Sequence, residues 1–153
     1  MVKKKNRHGR PIGGQFTPIL HAVQDSIAYK ELSGNSAKLY HRMERIARTV
    51  AHRMNCAPKD AQFNLTYSEV KKTLGFSEST TRRCLGELWE KGFISVIKIG
   101  GRTASDKRGR MSSIYQLCGN WKTYHHQWTD RTKYEVNPWS LPSEPRNHEA
   151  ARW

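Results

Sequence analysis

The sequence predicts a mainly α domain with a small β-hairpin, on three observations. Apolar residues recur at three- and four-residue steps from Leu39 to Met54, the single stripe of a long helix. Two shorter helical segments follow, each opened by a hydroxyl residue and closed by a glycine: Thr66 with Gly75, and Ser77 with Gly92. Directly after Gly92 the pattern changes to FISVIKI, a β-branched run of strand type.

The elements follow in order. Residues 1–15, MVKKKNRHGRPIGGQ, bring Lys3, Lys4, Lys5, Arg7 and Arg10 close together with little to bury, and are expected to form a disordered arm. After the short apolar stretch Phe16 to Leu20, Asp25 or Ser26 caps a brief helix ending at Leu32, with Gly34 as its stop. The long helix spans 35–54, with Asn35 or Ser36 as N-cap. Leu39, Met43, Ile46, Ala47, Val50 and Met54 make its inward stripe, while Arg42, Arg45, Arg48 and Arg53 fall mostly on a solvated face. Asn55 to Asp60 is a loop, and Gln62 to Leu65 pairs as a short strand.

Thr66-Tyr67-Ser68-Glu69 matches the capping box, in which the first hydroxyl and the fourth side chain satisfy each other's backbone N–H. The helix it opens turns Val70 and Leu74 inward and stops at Gly75. Ser77 caps the next helix, about 78–91, and Glu78 in its first turn suits the positive helix end. Thr81, Cys84, Leu85 and Leu88 form its inward stripe, and Gly92 closes it. The strand FISVIKI, the polar loop GGRTASDKRGRMS and the strand Ser113 to Cys118 make a hairpin with a long tip. Residues 119–153 lose periodicity and scatter Trp121, Tyr124, Trp128, Tyr134, Trp139 and Trp153 among prolines and polar residues. Trp121 and Trp128 are expected to dock this extension on the domain. The expected organisation is thus an arm at 1–15, a domain at 16–118 and an extension at 119–153.

Charge narrows the function. The 153 residues carry 27 Lys and Arg against 13 Asp and Glu, a formal net charge of +14. Such a field draws in polyanions, of which nucleic acid is the commonest, though a basic protein with no special partner has the same composition. Mean hydropathy of -0.83 leaves a modest core and a very polar surface. The three cysteines, Cys56, Cys84 and Cys118, include no CxxC, which argues against a zinc knuckle or a disulfide framework and for reduced thiols. No apolar run reaches the roughly 20 residues that cross a bilayer. No apolar region follows the basic N-terminus as in a secretory signal. The expected location is the cytoplasm or the nucleoid.

The order helix, short strand, helix, tight turn, helix, strand, basic loop, strand is the layout of a winged helix. The segment LTYSEVKKTLGFSESTTRRCLGELWEKGFISVIKIGG resembles the helix-turn-helix and first wing strand of the winged-helix superfamily. It is similar to the multiple-antibiotic-resistance-type and related bacterial regulators, and to phage or plasmid helix-turn-helix proteins. The marks are Leu74-Gly75-Phe76-Ser77 at the turn, Ser79-Thr80 opening the third helix, and Leu88 with Lys91-Gly92-Phe93-Ile94 leading into the wing. The resemblance implies a winged helix-turn-helix of three core helices plus wing, here with an extra N-terminal helix and basic and aromatic tails. It implies double-stranded DNA as partner and is compatible with a homodimer. No cofactor, metal, small-molecule ligand or catalytic role is expected.

The candidate DNA contacts divide into three groups. On the recognition helix they are Ser77, Ser79, Thr80, Arg82, Arg83 and Gly86. Arginine pairs bidentately with guanine O6 and N7, the hydroxyls reach phosphate or base edges, and Gly86 removes bulk where the helix nears the backbone. On the wing they are Arg102, Lys107, Arg108 and Arg110, opposed only by Asp106. In the arm they are Lys3, Lys4, Lys5, Arg7 and Arg10, which either track phosphates or form a solvated tail. Lys71 and Lys72 are further phosphate candidates.

Other features carry less. His125 and His126 are adjacent, point in different directions on a regular element, and have no ligand at metal spacing. Cys84 follows two arginines, but its inward spacing favours packing over a redox role. Trp89 is expected to cover the helix–wing junction or to meet a second copy. No phosphate loop, nucleophile elbow or HExxH is present, which argues against an enzyme. A sequence-specific transcriptional regulator is the leading expectation. A plasmid or phage replication or maintenance protein, and a module binding protein or RNA, remain open.

Overall fold

A computed structural model describes residues 17–100 and 112–124 together with Trp139. Its helices are α1 (His21–Gln24), α2 (Ile27–Lys30), α3 (Gly34–Met54), α4 (Tyr67–Leu74) and α5 (Glu78–Glu90), and its strands are β1 (Gln62–Leu65), β2 (Ile94–Lys98) and β3 (Ser113–Leu117). The fold is helical with a small three-stranded antiparallel sheet in the order β1-β3-β2. The strand after α3 therefore joins the hairpin as a third strand, with Phe63 opposite Tyr115 and Leu65 opposite Ser113. Phe63 and Leu65 are buried while Gln62 and Asn64 are exposed, so one face of the sheet closes the core.

The N-terminal helix is two single turns rather than one. Ser26 is extended and stands between them, its hydroxyl accepting from Tyr29 N (3.1 Å) and donating to Val23 O (2.6 Å). The N-cap of α3 is Ser33, not Asn35 or Ser36, because its hydroxyl accepts from Ser36 N. Leu39, Met43, Ala47 and Ala51 are buried along α3 as one stripe, widened by Tyr40 and Glu44. Met54 is 69% exposed and is no part of it, since α3 ends there and Asn55 turns into the left-handed region at φ 53°. Tyr40 and Glu44 hold each other one turn apart (3.2 Å), and Arg48 Nε bridges to Glu44 (3.1 Å).

The end of α5 fixes the start of the sheet. Gly92 sits at φ 78°, its N–H donates to Trp89 O (3.1 Å), and the N–H of Phe93 donates to Leu88 O (2.9 Å), the two bonds of a Schellman cap. The chain after β3 then packs on this turn, with Cys118 N donating to Phe93 O (2.9 Å) and Trp121 N to Gly92 O (3.0 Å). Trp121 is buried and stacks on Phe93 (6.2 Å, 12°), so the packed body runs past residue 118. No helix among the described residues is long and apolar enough to cross a membrane.

Candidate nucleic-acid interface

Two caps and a glycine turn present α5. Thr66 Oγ1 accepts from Glu69 N (3.1 Å), but the Glu69 carboxylate turns to Arg42 on α3 (3.2 Å). Half of the capping box thus serves α4, and the other half ties α4 to α3. Gly75, at φ 72°, ends α4, and buried Phe76 anchors the turn from inside. Ser77 caps α5 by accepting from Thr80 N (3.2 Å), and its hydroxyl also meets those of Thr80 (2.9 Å) and Ser79 (3.1 Å). The start of α5 is therefore a cluster of mutually bonded hydroxyls, with Ser77 and Ser79 exposed.

Behind this face, Thr81, Cys84, Leu85, Leu88 and Trp89 are buried. Burial raises the thiol of Cys84 above its usual range, as a packing role requires. On the outward side Arg83 is exposed, whereas Arg82 is half-buried towards Tyr67, whose hydroxyl feels its charge. Gly86 corrects the expectation: it is buried, so it lies on the body side of α5 and presents no gap to a ligand. Position 86 lies one turn before Trp89 along the same edge of α5, and both are buried. Lys71 and Lys72 are exposed on the last turn of α4.

The second half of α5 has the opposite charge. Glu90 is exposed. Glu87 turns to the start of α3, where its carboxylate accepts from Ser33 N (2.8 Å), from Ser33 Oγ (2.7 Å) and from Ser36 Oγ. Burial works against its charge, but the hydrogen bonds from Ser36 and Ser33 outweigh that and hold it below the usual carboxylate range. An anion at the first turn of a helix of 21 residues also suits the helix dipole. Cationic and hydroxyl groups on α5 are thus confined to its first two turns.

The hairpin base is closed by Gly100 N donating to Ser113 Oγ (2.9 Å). The wing candidates Arg102, Lys107, Arg108 and Arg110 lie outside the described residues, as do Lys3, Lys4, Lys5, Arg7 and Arg10 of the arm and His125, His126 and Trp128. Among the described residues no group of three or more His, Cys, Asp or Glu is placed to hold a metal ion.

Sequence reasoning missed Tyr67 and Trp139. Tyr67 opens α4, and Trp139 stacks on Tyr115 of β3 at 6.3 Å and 14°. Neither belongs to a periodic pattern that would have marked it. Comparison of the chain with protein-family models, with curated proteins and with solved structures finds no match.

Proposed function

We propose that this chain binds double-stranded DNA as a winged helix-turn-helix, laying the first two turns of α5 in the major groove, and that it acts as a sequence-specific transcriptional regulator. The observation that carries the reading is the start of α5. Hydroxyls and an exposed guanidinium face outward there, on a helix held from behind by wholly buried side chains. The chain order α3-β1-α4-α5-β2-β3 and the strand order β1-β3-β2 support it, being those of a winged helix. The net charge of +14 supports it too.

In this reading Arg83 pairs with a base edge, and Arg82 reaches the flank of the same groove. Ser79 and Thr80 bond phosphate or base edges, while Lys71 and Lys72 meet phosphates. α5 carries no cation or hydroxyl beyond Arg83, so the helix enters the groove by its N-terminal end. Cationic residues of the wing loop and the arm add non-specific affinity. If two copies bind together, their site is a pseudo-palindrome with half-sites about 34–36 Å apart.

Selection from a random pool of duplexes tests the reading. The expected result is an enriched motif, whose symmetry reports the number of copies bound. An unenriched pool, together with equal affinity of wild type and an Arg82→Ala, Arg83→Ala double variant, would refute it.

A further inference from the structure

The outer face of α3 is cationic from end to end. Lys38, Arg45 and His52 follow one another at seven-residue steps, close to two full turns, so they form one line along the helix. Met43 and Ala47, two positions before and after Arg45, are wholly buried, so the line stands on the side of α3 away from the core. Lys38, His41, Arg45, His52 and Arg53 are all exposed. Glu44 is the one acid of α3, and it is buried with Tyr40 and Arg48. Arg42 is taken by Glu69 (3.2 Å), and Nε2 of His41 lies 2.8 Å from the hydroxyl of Tyr29. Asp60, on the turn Pro58–Asp60 packed against α3, has Lys59 beside it. Lys38, Arg45 and Arg53 make no salt bridge among the described residues. Like charges three and four residues apart on a helix repel, and Arg45 has Arg42 and Arg48 at three while Lys38 has Arg42 at four. A merely solvated face intersperses the two signs, as α5 does with Glu78, Arg83 and Glu90. The outer face of α3 leaves its repulsion for an anionic partner to relieve.

We propose that the outer face of α3 holds a second double-stranded DNA segment by its phosphates, so that one chain bridges two duplexes. The proposal rests on the DNA-binding reading above, in which the first duplex lies on α5. α3 and α5 pack against each other, and the buried stripe of each belongs to one shared core. Arg83 is flanked two positions either side by buried Thr81 and Leu85, as Arg45 is by Met43 and Ala47. The two guanidinium groups are therefore turned apart, with the core between them. Each helix is about 10–12 Å across with its side chains, which sets the two faces roughly 20 Å apart. A major groove is about 12 Å wide, so a straight duplex seated on α5 does not reach the outer face of α3. From Lys38 to His52 the line is about 21 Å long, the rise of about six base pairs. Its contacts are those of cations with phosphate, which carry no sequence information, so the second duplex is of any sequence.

The test uses the full chain and two short duplexes. One carries the selected site and is held on beads; the other is fluorescent and of random sequence. Beads loaded with wild type are expected to capture the fluorescent duplex, and native mass spectrometry to find one chain with two duplexes. A single chain carrying Lys38→Gln, Arg45→Gln and Arg53→Gln is expected to bind the selected site within about twofold of wild type and to capture the second duplex about tenfold less. Arg45→Gln alone is expected to flatten the salt slope of capture by about 0.9. Urea midpoints show that the variants fold. Wild type that binds duplex but holds no more than one per chain overturns the bridge and leaves DNA binding standing. So does a folded triple variant that captures the second duplex as well as wild type does, or one that loses both duplexes equally. If wild type binds no duplex at all, the DNA-binding reading fails and the bridge falls with it.

Discussion

Gly92 shows how tightly the chain packs at the end of α5. A Cβ added at Gly92 would lie 2.7 Å from the carbonyl carbon of Asn120 and 2.8 Å from Trp121 N, both backbone atoms, and the residue is at φ 78°. A left-handed alanine costs roughly 1–2 kcal/mol and overpacking roughly 1–3 kcal/mol more. Gly92→Ala is therefore expected to lower the unfolding free energy by about 2–5 kcal/mol, read as a lower urea midpoint. Gly75 has open space around it, so Gly75→Ala is expected to cost only the conformational part. Arg83 is different in kind, being exposed and outside the core. Arg83→Ala is expected to leave the urea midpoint unchanged and to cost about 1–3 kcal/mol of binding at the selected site, with relaxed discrimination there. Competition binding with single-base variants of the site measures both.

At the scale of elements, the decisive contact joins α5 to α3. Glu87 takes hydrogen bonds from Ser33 and Ser36, more than fifty residues away, and so sets where α5 sits against the first turn of α3. Arg42 with Glu69 does the same between α3 and α4 at 3.2 Å. Because the Glu87 carboxyl titrates below its ordinary value of 4.5, the folded state favours its ionised form. Its contribution is fully present above about that pH and is lost as pH falls through the lower folded value. Glu87→Gln is expected to reduce stability near pH 7 by about 1 kcal/mol and to flatten the acid limb below pH 4.5. Urea midpoints between pH 3 and 7 check this, and an unchanged acid limb would remove Glu87 from the account.

For the whole molecule, the proposed DNA binding makes the net charge of +14 the control on salt dependence. Each phosphate neutralised steepens the fall of log affinity against log salt by about 0.9. Arg108→Ala or Arg110→Ala, in the basic loop between β2 and β3, is expected to flatten that slope by about 1 and to weaken all duplexes alike. Arg83→Ala should instead weaken the preferred site most. Titrations of specific and random duplex at several salt concentrations separate the two. An Arg108 or Arg110 variant that loses only specific binding would move the proposed base reading from α5 to the loop.

Local rules made much of this protein legible before its fold. The caps at Thr66 and Ser77, the stops at Gly75 and Gly92, the strand Gln62–Leu65 and the buried stripe of α3 each depend on residues within a few positions of one another. Hydrogen-bond geometry and apolar spacing act at that range, so the pattern along the chain was sufficient. Four features were decided only by tertiary contacts. Gly86 is buried on the same edge of α5 as Trp89, and Ser33 became the cap of α3 in company with Glu87. β1 found its partner in β3, and Trp139 found its place against Tyr67 and Tyr115. Partners in those contacts lie from two dozen to more than seventy residues apart, or depend on which face the core takes, and no local period encodes either.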